Sequence, residues 1–153
     1  MEKVSEFKGI NGNLVAFKEE VKDAKKVTFA GVPGVCTPFA ELFAYAIRDK
    51  ECAFITLTDI KSTRRIRLTP QGMQLSEFVD PKADVVALLG GLTMPKSNVK
   101  IEDVNQMVNK ILKKDGKLIG LSYMDMFKES GWLDQVDFDC VIDGTLIGNV
   151  FKK

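Results

Sequence analysis

Histidine is absent from this chain of 153 residues, and its absence removes whole classes of chemistry. No Ser-His-Asp triad and no Cys-His pair can form. Histidine-ligated zinc is excluded, and three scattered cysteines cannot complete a four-cysteine zinc site. No metal is therefore expected. Acid–base work near neutral pH must fall to a perturbed carboxylate, lysine, cysteine or tyrosine. An odd number of cysteines cannot all pair within one chain, so free thiols and a cytoplasmic setting are expected. Long apolar runs are also missing. Val85–Leu89 is among the longest patches, far short of a membrane span. The opening Met1–Lys8 lacks the apolar core of a signal peptide. With a formal net charge of +1, no global field draws in nucleic acid or an anionic membrane, and neither is expected as a partner. There is no internal repeat, low-complexity tract or linker.

What is present is enough apolar material for a core, at 45% hydrophobic residues, and a length suited to a single domain over residues 1–153. The organising stretch is residues 27–49. Val27, Phe29 and Ala30 form a short apolar run suited to a strand buried on both faces. Gly31 and Gly34 bracket Pro33 and break it. Thr37 is placed to cap a helix, with Pro38 in its first turn. Phe39, Leu42, Phe43, Ala46 and Ile47 then share one helical face. Strand, glycine loop and helix N-terminus point backbone N–H groups at one spot, which favours an anion or a thiolate.

The rest of the chain alternates in the same way. Leu14, Phe17 and Val21 follow Asn11-Gly12-Asn13 as an amphipathic helix. Cys52–Thr58 reads as a second strand, with Asp59 at its C-terminal end. Arg65–Leu68 fits a half-exposed strand, and a short helix is expected over Met73–Val79. Asp84–Gly91 is a buried strand ending in a glycine pair. A helix containing Ile101, Val104, Met107, Val108, Ile111 and Leu112 follows, acidic in its first turn and basic in its last. Lys117–Ser122 is another strand, and Tyr123–Trp132 reads as a helix. Asp143-Gly144 is a hairpin signal, making Thr145–Phe151 an antiparallel edge strand. This β–α alternation predicts an α/β fold: a three-layer α/β/α, Rossmann-like, mostly parallel sheet with an antiparallel C-terminal edge strand.

In such sheets ligands bind beyond the carboxyl ends of the strands, where strand order reverses. Four loops reach that edge here: Gly31–Thr37, Asp59–Arg64, Gly90–Asn98 and Ser122–Asp125. The candidate ligand-binding residues are Gly31, Gly34, Cys36, Thr37, Asp59, Gly91, Thr93 and Lys96. Gly34, Cys36 and Thr37 would offer amides, Lys96 a charge and Asp59 a contact to a hydroxyl. The glycine spacing matches neither the dinucleotide fingerprint nor a P-loop; the glycines equally suit a tight strand-to-helix turn. Cys36 precedes the helix, whose dipole would lower its pKa and make it a candidate catalytic nucleophile. Alkylation of Cys36 ahead of Cys52 and Cys140 is then expected, with an inert loop thiol as the alternative. Arg64, Arg65 and Arg67 offer a contact to a phosphate but read best as charges guarding a sheet edge. Tyr123 and Asp125 are weaker candidates at the fourth loop.

Two resemblances bear on these blocks. Phe29–Ala40 resembles the active-site loop of the atypical peroxiredoxins, V-P-G-x-x-T-P-x-C, through Val32, Pro33, Gly34, Thr37 and Pro38. The peroxide-reactive cysteine of that family falls on Ala40, and Cys36 lies four residues earlier, so the likeness implies a shared way of turning a strand into a helix without the peroxidase chemistry. Across the whole chain, GVPGVCTPFAELFAYAIRD and ALLGGLTMPKSNV resemble the blocks of a small archaeal family of uncharacterised α/β proteins. That resemblance implies a Rossmann-like fold and a cytoplasmic archaeal home, and carries over no catalytic residue.

Three readings of function follow. The first is binding of a small anionic ligand, a nucleotide or phosphorylated metabolite, at the C-terminal edge of the sheet. The second is a thiol-dependent redox or transfer enzyme using Cys36. The third is a non-catalytic assembly protein in which the glycine loops only pack. Symmetric self-association as a homodimer is expected from the frequency of such pairs and from the apolar helical stripes.

Overall fold

The computed structural model describes residues 1–153. Every strand lies in one seven-stranded sheet, ordered β4-β3-β2-β1-β5-β6-β7. The strands are β1 (Lys26–Gly31), β2 (Glu51–Thr56), β3 (Arg64–Thr69), β4 (Gly72–Phe78), β5 (Ala83–Leu89), β6 (Leu112–Tyr123) and β7 (Cys140–Gly144). β1 is central and runs parallel to both β2 and β5. Parallel pairing continues from β5 to β6 and from β6 to β7.

The strand residues alternate between two cores. Val27 and Phe29 of β1, Phe54 of β2, Val85, Ala87 and Leu89 of β5, and Ile119 and Leu121 of β6 face one side. Ala30, Ile55, Val86, Leu88 and Leu118 face the other. Burial of both faces explains why these strands read as continuous apolar runs. Helices α1 (Gly9–Glu20) and α2 (Thr37–Ala46) cover the first side. Phe17 sits edge-on to Phe43, ring centroids 5.1 Å apart, and tilts against Phe29. Helix α3 (Ile101–Ile111) covers the other side with the short α4 (Met126–Glu129) and Trp132. The crossover β1-α2-β2 moves one way from the centre and β5-α3-β6 the other. Right-handed crossovers then place α2 and α3 on opposite faces, giving the three-layer α/β/α arrangement.

Four expectations need correction. The antiparallel part of the sheet is not C-terminal. β7 pairs parallel with β6, from Ile119 beside Cys140 to Tyr123 beside Gly144, and residues 145–153 form no strand. Asp143-Gly144 resembles a hairpin turn but answers to tertiary contacts. The Asp143 carboxylate accepts hydrogen bonds from Ser122 Oγ at 2.6 Å and from the Asp125 N–H. A Cβ on Gly144 would stand 2.7 Å from Asn13 Oδ1 and 2.9 Å from the Tyr123 ring.

The antiparallel pairs are instead β2–β3 and β3–β4, at the opposite edge. Met73–Val79 therefore begins not as a helix but as β4, because Met73 and Leu75 pair with Leu68 and Ile66 and pack on the core. Gly72, at φ +109, closes that hairpin. Asn11-Gly12-Asn13 lies inside α1 rather than before it. Phe7 packs against Gly12, where a Cβ would be 2.8 Å from the Phe7 side chain. Finally, the helix expected over Tyr123–Trp132 shrinks to α4, since Met124 and Asp125 adopt positive φ.

Arg64, Arg65 and Arg67 lie on β3. Arg65 reaches Glu51 and Glu77, Arg67 reaches Glu77 at 2.8 Å, and Arg64 Nε donates to the Ser76 carbonyl. Their charge is used across the strands of this edge.

Candidate functional site

The chain leaves β1 toward β2 and later leaves β5 toward β6. Strand order thus reverses between β1 and β5, and a crevice opens beyond their carboxyl ends at that point. The loops Gly31–Thr37 and Gly90–Asn98 form its rim.

Gly31, Cys36 and Gly91 meet at its base. Cys36 is 3% exposed, and its side chain fills the space a side chain on either glycine would need. A Cβ on Gly91 would stand 2.4 Å from the Cys36 sulfur, and one on Gly31 would stand 2.4 Å from the Cys36 Cβ. Gly90 serves the same end on its other flank, 2.8 Å from the Ser122 Cβ. These glycines allow close packing of loop on strand. Burial pushes the Cys36 thiol up, and the backbone at Val32 and Gly91 offsets this only in part. That direction is opposite to the one expected from the helix dipole alone, because burial disfavours the thiolate. Cys52 is pushed up to about 12, chiefly by burial, and the half-buried Cys140 is raised as well. Ala40, which stands where the peroxiredoxins carry their cysteine, is wholly buried in the core.

Cys36, not Thr37, occupies the position before α2, and no side chain caps the helix. Thr37 is its first residue, and its hydroxyl accepts a hydrogen bond from the Gly34 N–H at 3.2 Å. Gly34, at φ +80 with open space around it, forms the tip of the loop. The N–H groups of Val35, Thr37 and Phe39 have no partner within the chain. Those of Thr37 and Phe39 are free donors of a ten-residue helix whose dipole adds positive potential at that end, and that of Val35 lies just before it.

Beside these amides lies a cavity of about 80 Å³. Val35, Phe39 and Phe43 form one wall, Leu89, Gly91 and Met94 another, and Leu121, Tyr123 and Met126 the third. Phe39 and Tyr123 stack at a tilt with ring centroids 5.2 Å apart. The Tyr123 hydroxyl is buried without a hydrogen-bond partner, and burial raises its pKa. Buried hydroxyls nearly always find a partner, and this one is an exception within the chain.

The remaining predicted residues lie farther out on the loops. Thr93 Oγ1 donates to the Gly90 carbonyl at 2.8 Å and holds its own turn. Lys96 is exposed on the next turn, Pro95–Ser97. Asp59 caps the turn after β2 by accepting from the Lys61 N–H at 3.0 Å, and does not line the cavity. Val35, Phe39, Met94 and Met126 were missed as site residues. Their signal, apolar side chains on or beside strand-end loops, is indistinguishable in sequence from ordinary core.

No group of three or more cysteine or carboxylate side chains stands close enough to hold a metal ion. No helix is long and apolar enough to cross a membrane.

Comparison with known proteins places this architecture among archaeal relatives. A protein from Methanothermobacter thermautotrophicus described as uncharacterised is 51% identical over 152 residues, covering 99% of both chains. An uncharacterised Methanocaldococcus jannaschii protein is 39% identical over 153 residues, covering 98% of this chain and 94% of the relative. A crystal structure of a protein of unknown function from Methanothermobacter thermautotrophicus superposes with a TM-score of 0.96 at 50% identity, covering 100% of this chain and 99% of that one. The family described as "Uncharacterized protein conserved in archaea (DUF2124)" matches residues 8–147, and the chain belongs to it.

Proposed function

We propose that the protein binds a small anionic ligand with an apolar or aromatic body, a nucleotide or phosphorylated metabolite, in the crevice between the ends of β1 and β5. The observation that carries this reading is an apolar cavity lined in part by Tyr123, whose hydroxyl is buried without a partner, next to the free amides at the start of α2. The anion is held by the N–H groups of Val35, Thr37 and Phe39, where helix-end donors and dipole act together. The flat part of the ligand packs on Phe39 and Tyr123. Lys96 supplies long-range attraction from the rim. The three thiols are unbridged, which suits a reducing, cytoplasmic setting. The reading involves no metal, nucleic acid or membrane.

Binding is favoured over thiol catalysis because Cys36 is buried and its pKa is raised, both of which disfavour a reactive thiolate. The test is thermal shift with inorganic phosphate and with purine and pyrimidine mononucleotides. One of these is expected to raise the melting temperature. Tyr123→Phe is expected to leave the ligand-free melting temperature unchanged or slightly higher while reducing that shift. Val35→Asp, which puts a negative charge at an exposed position beside the amides, is expected to abolish it. If no anion shifts the melting temperature, the reading fails.

A further inference from the structure

The last nine residues of the chain present a contradiction between their composition and their surroundings. Thr145-Leu-Ile-Gly-Asn-Val-Phe151 has the apolar and β-branched content of a strand. Yet residues 145–153 belong to no element, and Ile147, Val150 and Phe151 are 91%, 85% and 91% exposed. Isolated surface apolar residues are ordinary; three large ones on a single unpaired segment are not.

The segment leaves the body at the C-terminal end of β7. β7 is an edge strand, so one row of its backbone groups is unpaired. Along it runs a groove of about 680 Å³, lined by β7, by Asn13, Ala16, Glu19 and Glu20 of α1, by residues 2–9, and by Thr145 and Leu146 at the root of the segment. Six carboxylates and two lysines line this groove; Glu6, Glu19 and Glu20 already pair with Lys3, Lys22 and Lys117 of the same chain, whereas Glu2 forms no ion pair and the lining as a whole keeps an acidic excess. The terminal segment carries Lys152 and Lys153 and no acidic residue.

We propose that residues 145–153 are an exchanged arm: each copy of the chain lays its arm along β7 and into the acidic groove of a second copy. The arm adds a strand to the free edge of the partner's sheet, a mode in which main-chain hydrogen bonds supply much of the attraction. Nine extended residues reach about 30 Å, well beyond the roughly 17 Å of a five-residue strand, so the arm spans the whole edge. Ile147, Val150 and Phe151 leave water against the groove, and Lys152 and Lys153 meet its carboxylates. Arm and groove lie side by side on one chain. A two-fold axis beside the end of β7 therefore satisfies both at once and closes the assembly as a pair. This inference is independent of the ligand site.

The experiment is sedimentation velocity of the full chain over a concentration series, beside two variants. One ends at Thr145; the other carries Ile147→Asp and Phe151→Asp in the full-length chain. The full chain is expected to be a dimer, and both variants monomers with unchanged far-UV circular dichroism. Because these side chains touch little of their own body, the double substitution keeps the test valid should the truncated chain fold poorly. Lys152→Glu with Lys153→Glu is expected to weaken the dimer by about tenfold, less at high salt. Cys140, which lines the groove, should alkylate faster in the monomeric variants than in the dimer. A monomeric full chain at high micromolar concentration overturns the proposal. So does a dimer that both arm variants leave intact, since the interface then lies elsewhere, and so does open-ended assembly in place of a closed pair.

Discussion

The contact of Cys36 with Gly91 makes a quantitative prediction. Neither Gly91 nor Gly31 has positive φ, so alanine at either position carries no backbone strain, and any cost is steric. At Gly91 the new methyl would stand 2.4 Å from the Cys36 sulfur, more than 1 Å inside ordinary contact distance. The sulfur has little room to retreat, because Cys36 is almost wholly buried within the core. Overpacking of this kind costs about 1–3 kcal/mol. That corresponds to roughly 2–4 °C in melting temperature per kcal/mol for a chain of this size. Cys36→Ala alone should cost about 1 kcal/mol, for one buried group and the small cavity it leaves. When Gly91→Ala and Cys36→Ala are combined, the methyl introduced at position 91 takes the space of the missing sulfur. Most of the Gly91→Ala penalty should then disappear, a coupling of about 1–2 kcal/mol. Gly31→Ala is the control. There the clash is with the Cys36 Cβ, which alanine retains, so Cys36→Ala should not rescue it. Urea denaturation of the wild type and five variants completes both cycles. A Gly91→Ala chain within about 0.5 kcal/mol of wild type, or equal rescue at both glycines, would refute this account of why glycine stands at these positions.

Other outcomes follow from the thiols and the ion pairs. Cys36 and Cys52 should resist alkylation under native conditions and react on unfolding, as mass spectrometry of the labelled peptides would show; rapid native labelling of Cys36 would revive the thiol-enzyme reading. The Cys52 thiol is raised to about 12 in the folded chain, above its unfolded value, so its contribution is complete below about pH 8.5 and is lost as pH rises toward 12. Cys52→Ala should flatten that alkaline decline in the urea midpoint. Glu77 is held at about 2, first by the Ser76 side chain, then by its own N–H and by Arg67 and Arg65. Its contribution is therefore present above about pH 4.3 and fades as pH falls toward 2, and Glu77→Gln should remove that part of the acid titration. Asp84 accepts from the N–H groups of Lys25 and Lys26 and from Lys113 Nζ. Burial alone would raise its carboxyl, but these donors hold it below the usual range. Asp84→Ala should cost about 1–3 kcal/mol by urea denaturation at neutral pH, with the gap to wild type narrowing in acid as Asp84 protonates.

Much of the fold was determined locally. Val27–Ala30, Cys52–Thr56 and Val85–Leu89 are apolar almost without interruption because both faces of the sheet are covered. A strand with that pattern in alternation with amphipathic helices has few places to go except a parallel sheet. The location of the crevice followed too, since it depends only on where strand–loop–helix units converge. What the residue pattern left open was every choice made by partners distant in sequence. Thr145–Phe151 reads as a strand, but a strand exists only if an edge accepts it, and within one chain none does. Met73–Val79 has no decisive period of its own; Ile66 and Leu68 on the neighbouring strand make Met73–Phe78 β4. Asp143-Gly144 has the chemistry of a turn, yet Ser122, Asp125 and Asn13 claim both residues for packing. The thiol shows the same division most sharply. Its place before a helix is written in the local order of residues, and that order alone argues for a low pKa. Its burial depends on Gly31 and on Gly91, 55 positions further along the chain than Cys36, and only the assembled fold brings them onto the sulfur. Desolvation, a property of the tertiary structure, then decides the direction of the shift.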